Sequence, residues 1–183
     1  MKIRQKNSAS FACIAFCVLT IALGTLHAQT QDANRIEAPV MLNRDQASAI
    51  LPPSVFFRGQ SAPIQGRNSA GLRMTDGKLV LSAIVDTSGY SSALQQTYQA
   101  YLLTEVPLTI ASQKLPPGAY GFGFVAGNMI VMDIGGNEIL RVDINRDEKL
   151  TRPNPLQILP GGAAAQFRLY LGRNYVLLSS ASR

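Results

Sequence analysis

Histidine, cysteine and tryptophan are almost missing from this chain. Its 183 residues include one His, two Cys and no Trp. His27, Cys13 and Cys17 all fall within the first 28 residues, so none of the three types occurs from Gln29 onward. A Ser-His-Asp triad or a cysteine nucleophile is therefore excluded there. So are a zinc site with imidazole or thiolate ligands and a haem or iron–sulfur site held by His or Cys. No disulfide framework can form. Any enzymatic chemistry must come from Asp, Glu, Lys, Arg, Tyr or Ser, and no cofactor is expected. No asparagine sequon occurs either.

Long apolar runs are equally scarce. The one that stands out, Phe11 to Gly24, is shorter than the roughly 18 residues of a membrane span. Lys2, Arg4 and Lys6 precede it, and Thr25-Leu26-His27-Ala28 follows it. That is the layout of a secretory signal peptide cleaved near Ala28. The bulky Phe16 before Cys17 argues against lipid attachment there. Export to the periplasm or extracellular space is expected, with membrane attachment only if the segment stays uncleaved. Removing 28 of 183 residues leaves 155, enough to bury a core without staples. Three cations and no acids leave with it, so the formal charge falls from +6 to +3.

What is plentiful is hairpin signal. Lys114 to Ile144 holds three apolar runs separated by Gly-Asn and Gly-Gly-Asn. With Gly127-Asn128 and Gly136-Asn137 as turns, Phe122 faces Asp133, and Leu140 faces Asp133 from the other side. Both faces of this segment are then largely apolar, as expected for strands covered on two sides. Ala70 to Val85 is a second hairpin about Asp76-Gly77. That turn sets Leu72 opposite Leu81 and Met74 opposite Leu79, with Val80 on the other face.

The rest of the chain reads in the same way. Residues 29–42 are expected to form a flexible leader and residues 43–183 a single β-domain. Asn43 to Leu51 suits a short capped helix ended by Pro52-Pro53. Ser54 to Arg58 reads as a strand and Gly59 to Ser69 as a loop. Ala93 to Leu102 fits either helix or strand spacing, with strand favoured over Tyr98 to Glu105. Asn145 to Pro155 is a charged excursion, and Phe167 to Leu171 with Tyr175 to Leu178 forms a last hairpin. The fold expected is mainly β: an antiparallel β-sandwich or partly open β-barrel after a cleaved signal peptide.

Leu115, Pro116, Gly118 and Tyr120 form a Leu-Pro-x-Gly-x-Tyr corner after the extended run from Leu108. The stretch Leu108 to Phe124 resembles a motif of small secreted bacterial β-domains of unknown function. The resemblance implies a β-sandwich-like domain and no established activity.

Four groups of residues are candidates for chemistry. Asp133, set between Phe122 and Leu140, would have its pKa raised by desolvation and could act as a general acid or base. If it lies near the strand end instead, it bonds the Gly135-Gly136 backbone. Arg58, Arg67, Arg73 and Lys78 share a segment whose only acid is Asp76. They could greet an anionic glycan, lipid head group or polymer, or simply protect a solvated hairpin edge. Asp143, Asn145 and Asp147 have a spacing that could gather oxygen ligands for calcium, but Glu148 and Asn154 depart from the loop pattern. No metal is therefore expected. Gly118, Gly121 and Gly123 lack the lysine and following helix of a phosphate loop. The leading expectation is a non-catalytic module that binds a ligand, anionic polymer, glycan or envelope protein, and no nucleic acid. The alternative is a carboxylate- or Tyr-dependent enzyme acting on a glycan or similar polymer.

Overall fold

The computed structural model describes residues 38–180. The expected signal peptide and residues 29–37 of the leader lie outside the described residues. The chain starts with β1 (Val40–Leu42), α1 (Arg44–Ile50), β2 (Ser54–Phe57), the long β3 (Gln60–Arg73) and β4 (Leu79–Val85). Helix α2 (Ser92–Thr97) leads into β5 (Ala100–Thr104), β6 (Leu108–Ile110) and β7 (Gln113–Leu115). A meander follows, β8 (Gly118–Val125), β9 (Asn128–Met132) and β10 (Glu138–Asp143). The last strands are β11 (Asn145–Arg146), β12 (Leu156–Pro160), β13 (Gln166–Leu171) and β14 (Asn174–Ser180).

These strands make two antiparallel sheets and no closed barrel. The larger runs β1-β3-β4-β5-β8-β9-β10, with β2 also on β3. The smaller runs β12-β13-β14-β6-β7, with β11 also on β14. Between them lies one apolar core. Leu72, Val80, Leu102, Phe122, Val131 and Leu140 come from the larger sheet, and Leu108, Ile110, Leu169, Val176 and Leu178 from the smaller. The exclusion of water from these side chains is the main force holding the sheets together.

The outer face of the larger sheet is apolar too, and two covers bury it. Helix α1 lays Ala47 and Leu51 on Leu81 and Ala83. Its start is fixed by a capping box: Asn43 Oδ1 accepts the Gln46 N–H at 2.9 Å, and Gln46 Oε1 accepts the Asn43 N–H at 2.9 Å. Strand β2 and helix α2 supply the second cover, with Val55, Phe57, Leu94 and Tyr98 over Tyr101, Ile130 and Met132. Phe57 and Tyr98 stack with centroids 3.9 Å apart. They lie directly on Gly121, where any Cβ would strike both rings.

The turns differ from the sequence expectations, with unequal consequences. The β3–β4 loop has three residues, closed by the Met74 N–H donating to the Lys78 carbonyl at 2.8 Å, and Gly77 takes φ +82°. Leu72 therefore pairs with Val80, not Leu81. A one-residue slip reverses the faces of β4, so Val80 enters the core while Leu81 and Ala83 meet α1. The β8–β9 turn is Ala126-Gly127, with φ +48° and +83°, as a two-residue turn of the primed type requires. That shifts the register by two, so Phe122 pairs with Val131 and every side chain keeps its expected face. The β9–β10 register also shifts by two, placing Leu140 opposite Val131.

Three further expectations are corrected. Val40–Leu42 is strand β1 on β3 rather than leader, because Leu42 is buried beneath α1. Gly59 to Ser69 is mostly strand rather than loop. The ladder holds at Ile64 and again at Ser69, and the residues between bulge out. The ambiguous Ala93 to Leu102 segment is both things in turn: helix α2 through Thr97, then strand β5 from Ala100. At the corner after β7, the Tyr120 hydroxyl donates to the Pro116 carbonyl at 2.9 Å. At one end of the sandwich Ala38 and Ser180 line the same small cleft, about 370 Å³, with Met74 and Val106.

The Tyr98 hydroxyl is buried and has no hydrogen-bond partner among the described residues, and burial pushes its pKa up. Tyr98→Phe is therefore expected to raise unfolding stability by about 1 kcal/mol, since an unpaired polar group is removed. Gly121→Ala is expected to lower it by about 1–3 kcal/mol through overpacking. Urea denaturation of the two variants checks both signs.

Candidate functional site

The sandwich has two seams where the edges of its sheets meet. At one, β7 lies beside β10, and Gln113 Nε2 donates to the Arg141 carbonyl at 2.8 Å. At the other, between β3 and β12, a cleft of about 550 Å³ remains open. Its polar wall includes Arg44, Asp45, Arg67, Asn68, Asn154 and Gln157, and its apolar wall Leu42, Ala70, Leu156, Ile158 and Leu159.

The bulge in β3 builds this cleft. Between Ile64 and Ser69 the chain leaves the ladder and bonds to itself. Asn68 Nδ2 donates to Gln65 Oε1 at 2.8 Å, and the buried Ser69 hydroxyl donates to the Gly66 carbonyl at 2.6 Å. Gly66 lies under α1, where a Cβ would meet the Ser48 side chain. The Ser69 hydroxyl also donates to the Arg44 carbonyl at 3.2 Å, which holds the start of α1 against the bulge at one side of the cleft. Arg67 rides on the bulge into it.

The cleft is rich in donors. Arg44 pairs with its neighbour Asp45 at 3.3 Å, an exposed contact of little energetic weight. Arg67 makes no ion pair among the described residues. Gln157 Oε1 accepts from Asn154 Nδ2 at 3.0 Å, while Gln157 Nε2 is buried with no partner among the described residues. Among the described residues Asp45 is the only carboxylate in the lining.

Of the four basic residues singled out in the sequence, only Arg67 lines this cleft. Arg58 sits in the β2–β3 turn, its side chain across Gly136. Arg73 stands at the far end of β3, opposite Leu79. Lys78 pairs with Asp76 at 3.1 Å. Strand β3 and the turns at its two ends thus spread these charges apart rather than gathering them.

Asp133 does not lie between Phe122 and Leu140, because both registers shift by two and Val131 takes that place. Its carboxylate instead accepts Asn137 Nδ2 at 2.9 Å and the Asn137 N–H at 2.9 Å. These bonds hold its pKa below the ordinary aspartate value, not above it. It closes a turn and is poorly suited to general acid–base work at neutral pH.

Asp143, Asn145 and Asp147 are not assembled around a common point. Asp143 ends β10 opposite Asn128, and Asn145 pairs in β11 with Tyr175. Asp147 is drawn toward the smaller sheet: its carboxylate accepts the Tyr170 hydroxyl at 2.9 Å and lies 3.6 Å from Arg168 Nη1. Arg168 in turn lies over the Tyr175 ring at 4.9 Å. Among the described residues no three His, Cys, Asp or Glu side chains are grouped to hold a metal. The Tyr170 hydrogen bond, with the Lys149 N–H and Arg168, holds the Asp147 carboxyl below its usual range. The cluster pins the charged excursion, and Arg173 Nη1 fastens it again at the Leu150 carbonyl. Tyr170 and Arg168 escaped the sequence reading. Their alternation with Phe167, Leu169 and Leu171 is the signal that places them off the core face.

No family model, no curated protein and no solved structure matches this chain.

Asp147 also sets an acid dependence. Its folded pKa is depressed below the ordinary 3.8, so its stabilising effect is present above that value and is lost as pH falls through the folded pKa. Asp147→Asn should therefore weaken the protein at neutral pH and flatten the loss of stability below about pH 4. Urea midpoints of wild type and variant across that range check it. Parallel curves would sink the assignment.

Proposed function

We propose that this protein is an exported, non-catalytic binding module that takes an anionic polymer in the cleft between β3 and β12. The observation that carries the reading is the pairing of Arg67, a cation without an ion pair among the described residues, with the buried unpaired donor Gln157 Nε2 in one cleft. The Arg67 guanidinium and the Gln157 amide suit a ligand that brings acceptors and negative charge. Asn154, Asn68 and the aliphatic floor give such a ligand a surface to lie on. Export is supported by Lys2, Arg4 and Lys6 ahead of the apolar run Phe11 to Gly24.

The enzyme alternative finds less support. Hydrolysis by paired acids needs two carboxyl groups about 5–10 Å apart across one substrate. Among the described residues Asp45 is the one carboxylate lining the cleft, and it is beside Arg44.

Affinity electrophoresis through gels containing polygalacturonate or poly-glutamate tests the proposal at low salt. Retardation is expected with at least one polymer, fading as salt rises. Arg67→Glu should weaken it about tenfold or more, as loss of a charged hydrogen bond does. Arg73→Glu, outside the cleft, should leave it nearly intact. Equal effects from both variants would reduce the binding to diffuse surface charge.

A further inference from the structure

Resting on the reading of this cleft as a ligand site, we infer that its ligand is an acidic peptide in extended form, docked on the free edge of β12 by backbone pairing. Among the described residues strand β12 pairs with β13 alone. The Gly172 N–H donates to the Pro155 carbonyl at 3.0 Å, and the Gly161 N–H to the Gln166 carbonyl at 2.7 Å. Both bonds belong to the register that sets Leu156 opposite Leu171. In an antiparallel ladder each residue spends both backbone groups on the same side, and successive residues alternate. Gln157 and Leu159 therefore address β13. Leu156 and Ile158 direct their N–H and C=O groups the other way, toward the cleft both residues line.

Those groups recur every second residue, about 6.8 Å apart, each site offering one donor and one acceptor. A peptide backbone repeats the complementary pair at the same spacing, which is the basis of strand addition. A glycan does not, and sugar sites commonly add a ring to stack on, whereas no Phe or Tyr among the described residues lines this cleft. Arg67 sits across the cleft from this edge and supplies the charge preference for an acidic side chain. Arg44 adds little because Asp45 accompanies it. Pro160, the next residue to point outward, has no N–H, so the pairing stops after Ile158. A short stretch of peptide is what this edge can hold.

The test uses a fluorescein-labelled peptide alternating Glu and Val, and two isomers N-methylated at alternate residues of opposite parity. Fluorescence anisotropy with the purified protein should show saturable binding of the parent peptide. One N-methylated isomer should bind like the parent, and the other about tenfold or more weakly, because only one set of ligand N–H groups faces β12. Arg67→Glu should weaken the parent peptide by a similar factor, and NMR amide signals of Leu156 and Ile158 should shift on binding. Equal affinity of the two isomers overturns backbone pairing. Arg67-dependent binding of polygalacturonate with none of the peptide overturns the peptide but keeps the cleft as a ligand site. Failure of both probes removes the cleft reading itself.

Discussion

Two aromatic rings resting on one bare backbone position hold the outer half of this protein in place. Phe57 comes from β2 and Tyr98 from the end of α2, and they meet over Gly121 in the middle of β8. A sheet with two apolar faces is insoluble unless both are covered. The smaller sheet covers one. The other needs elements that have nothing else to pack on, and a short hairpin and a six-residue helix have too little surface of their own. The stacked rings supply it. Gly121 gives up its own side chain so that they can lie flat.

That cover dictates the course of β3. Its first residues must pair with β2 above the outer face, and its last residues must pair with β4 inside the sheet. The ladder with β4 takes in Ile64, breaks, and resumes at Ser69. The bulge from Gln65 to Asn68 is the break, and it carries Arg67 out of the sheet at the seam facing β12. The cleft lies beside this bulge, with α1 packed on Gly66 at its flank. On the other side of the same seam, the excursion pinned by Asp147, Tyr170 and Arg168 delivers Asn154, and β12 after it carries Gln157.

How much of this the amino-acid sequence disclosed depended on parity. The β-rich, two-faced architecture was legible in the runs between Lys114 and Ile144. Errors of two residues in those turns moved no side chain to the wrong face. The Asp76-Gly77 hairpin failed by one residue, and that was enough to exchange Val80 with Leu81. The two-residue shifts did misplace Asp133 along its strand, and its apparent burial came from the register rather than from its neighbours. The helix capped by Asn43 was legible because its signals are local. The site was not. Arg67 was named among four basic residues, but nothing local distinguishes it from Arg58 or Arg73. Gln157 and the edge of β12 became visible only once the strand order placed them opposite the bulge.

The meeting of Ala38 and Ser180 at one end of the sandwich bears on how the chain could be rewired. A chain in which Ser180 is joined to Ala38 by a short linker, with an opening in the exposed loop at Gly162-Ala163, would keep every strand described. The order in which the two sheets are made would change, while the seam between β3 and β12 would be left untouched. In this molecule chain order and architecture are separable.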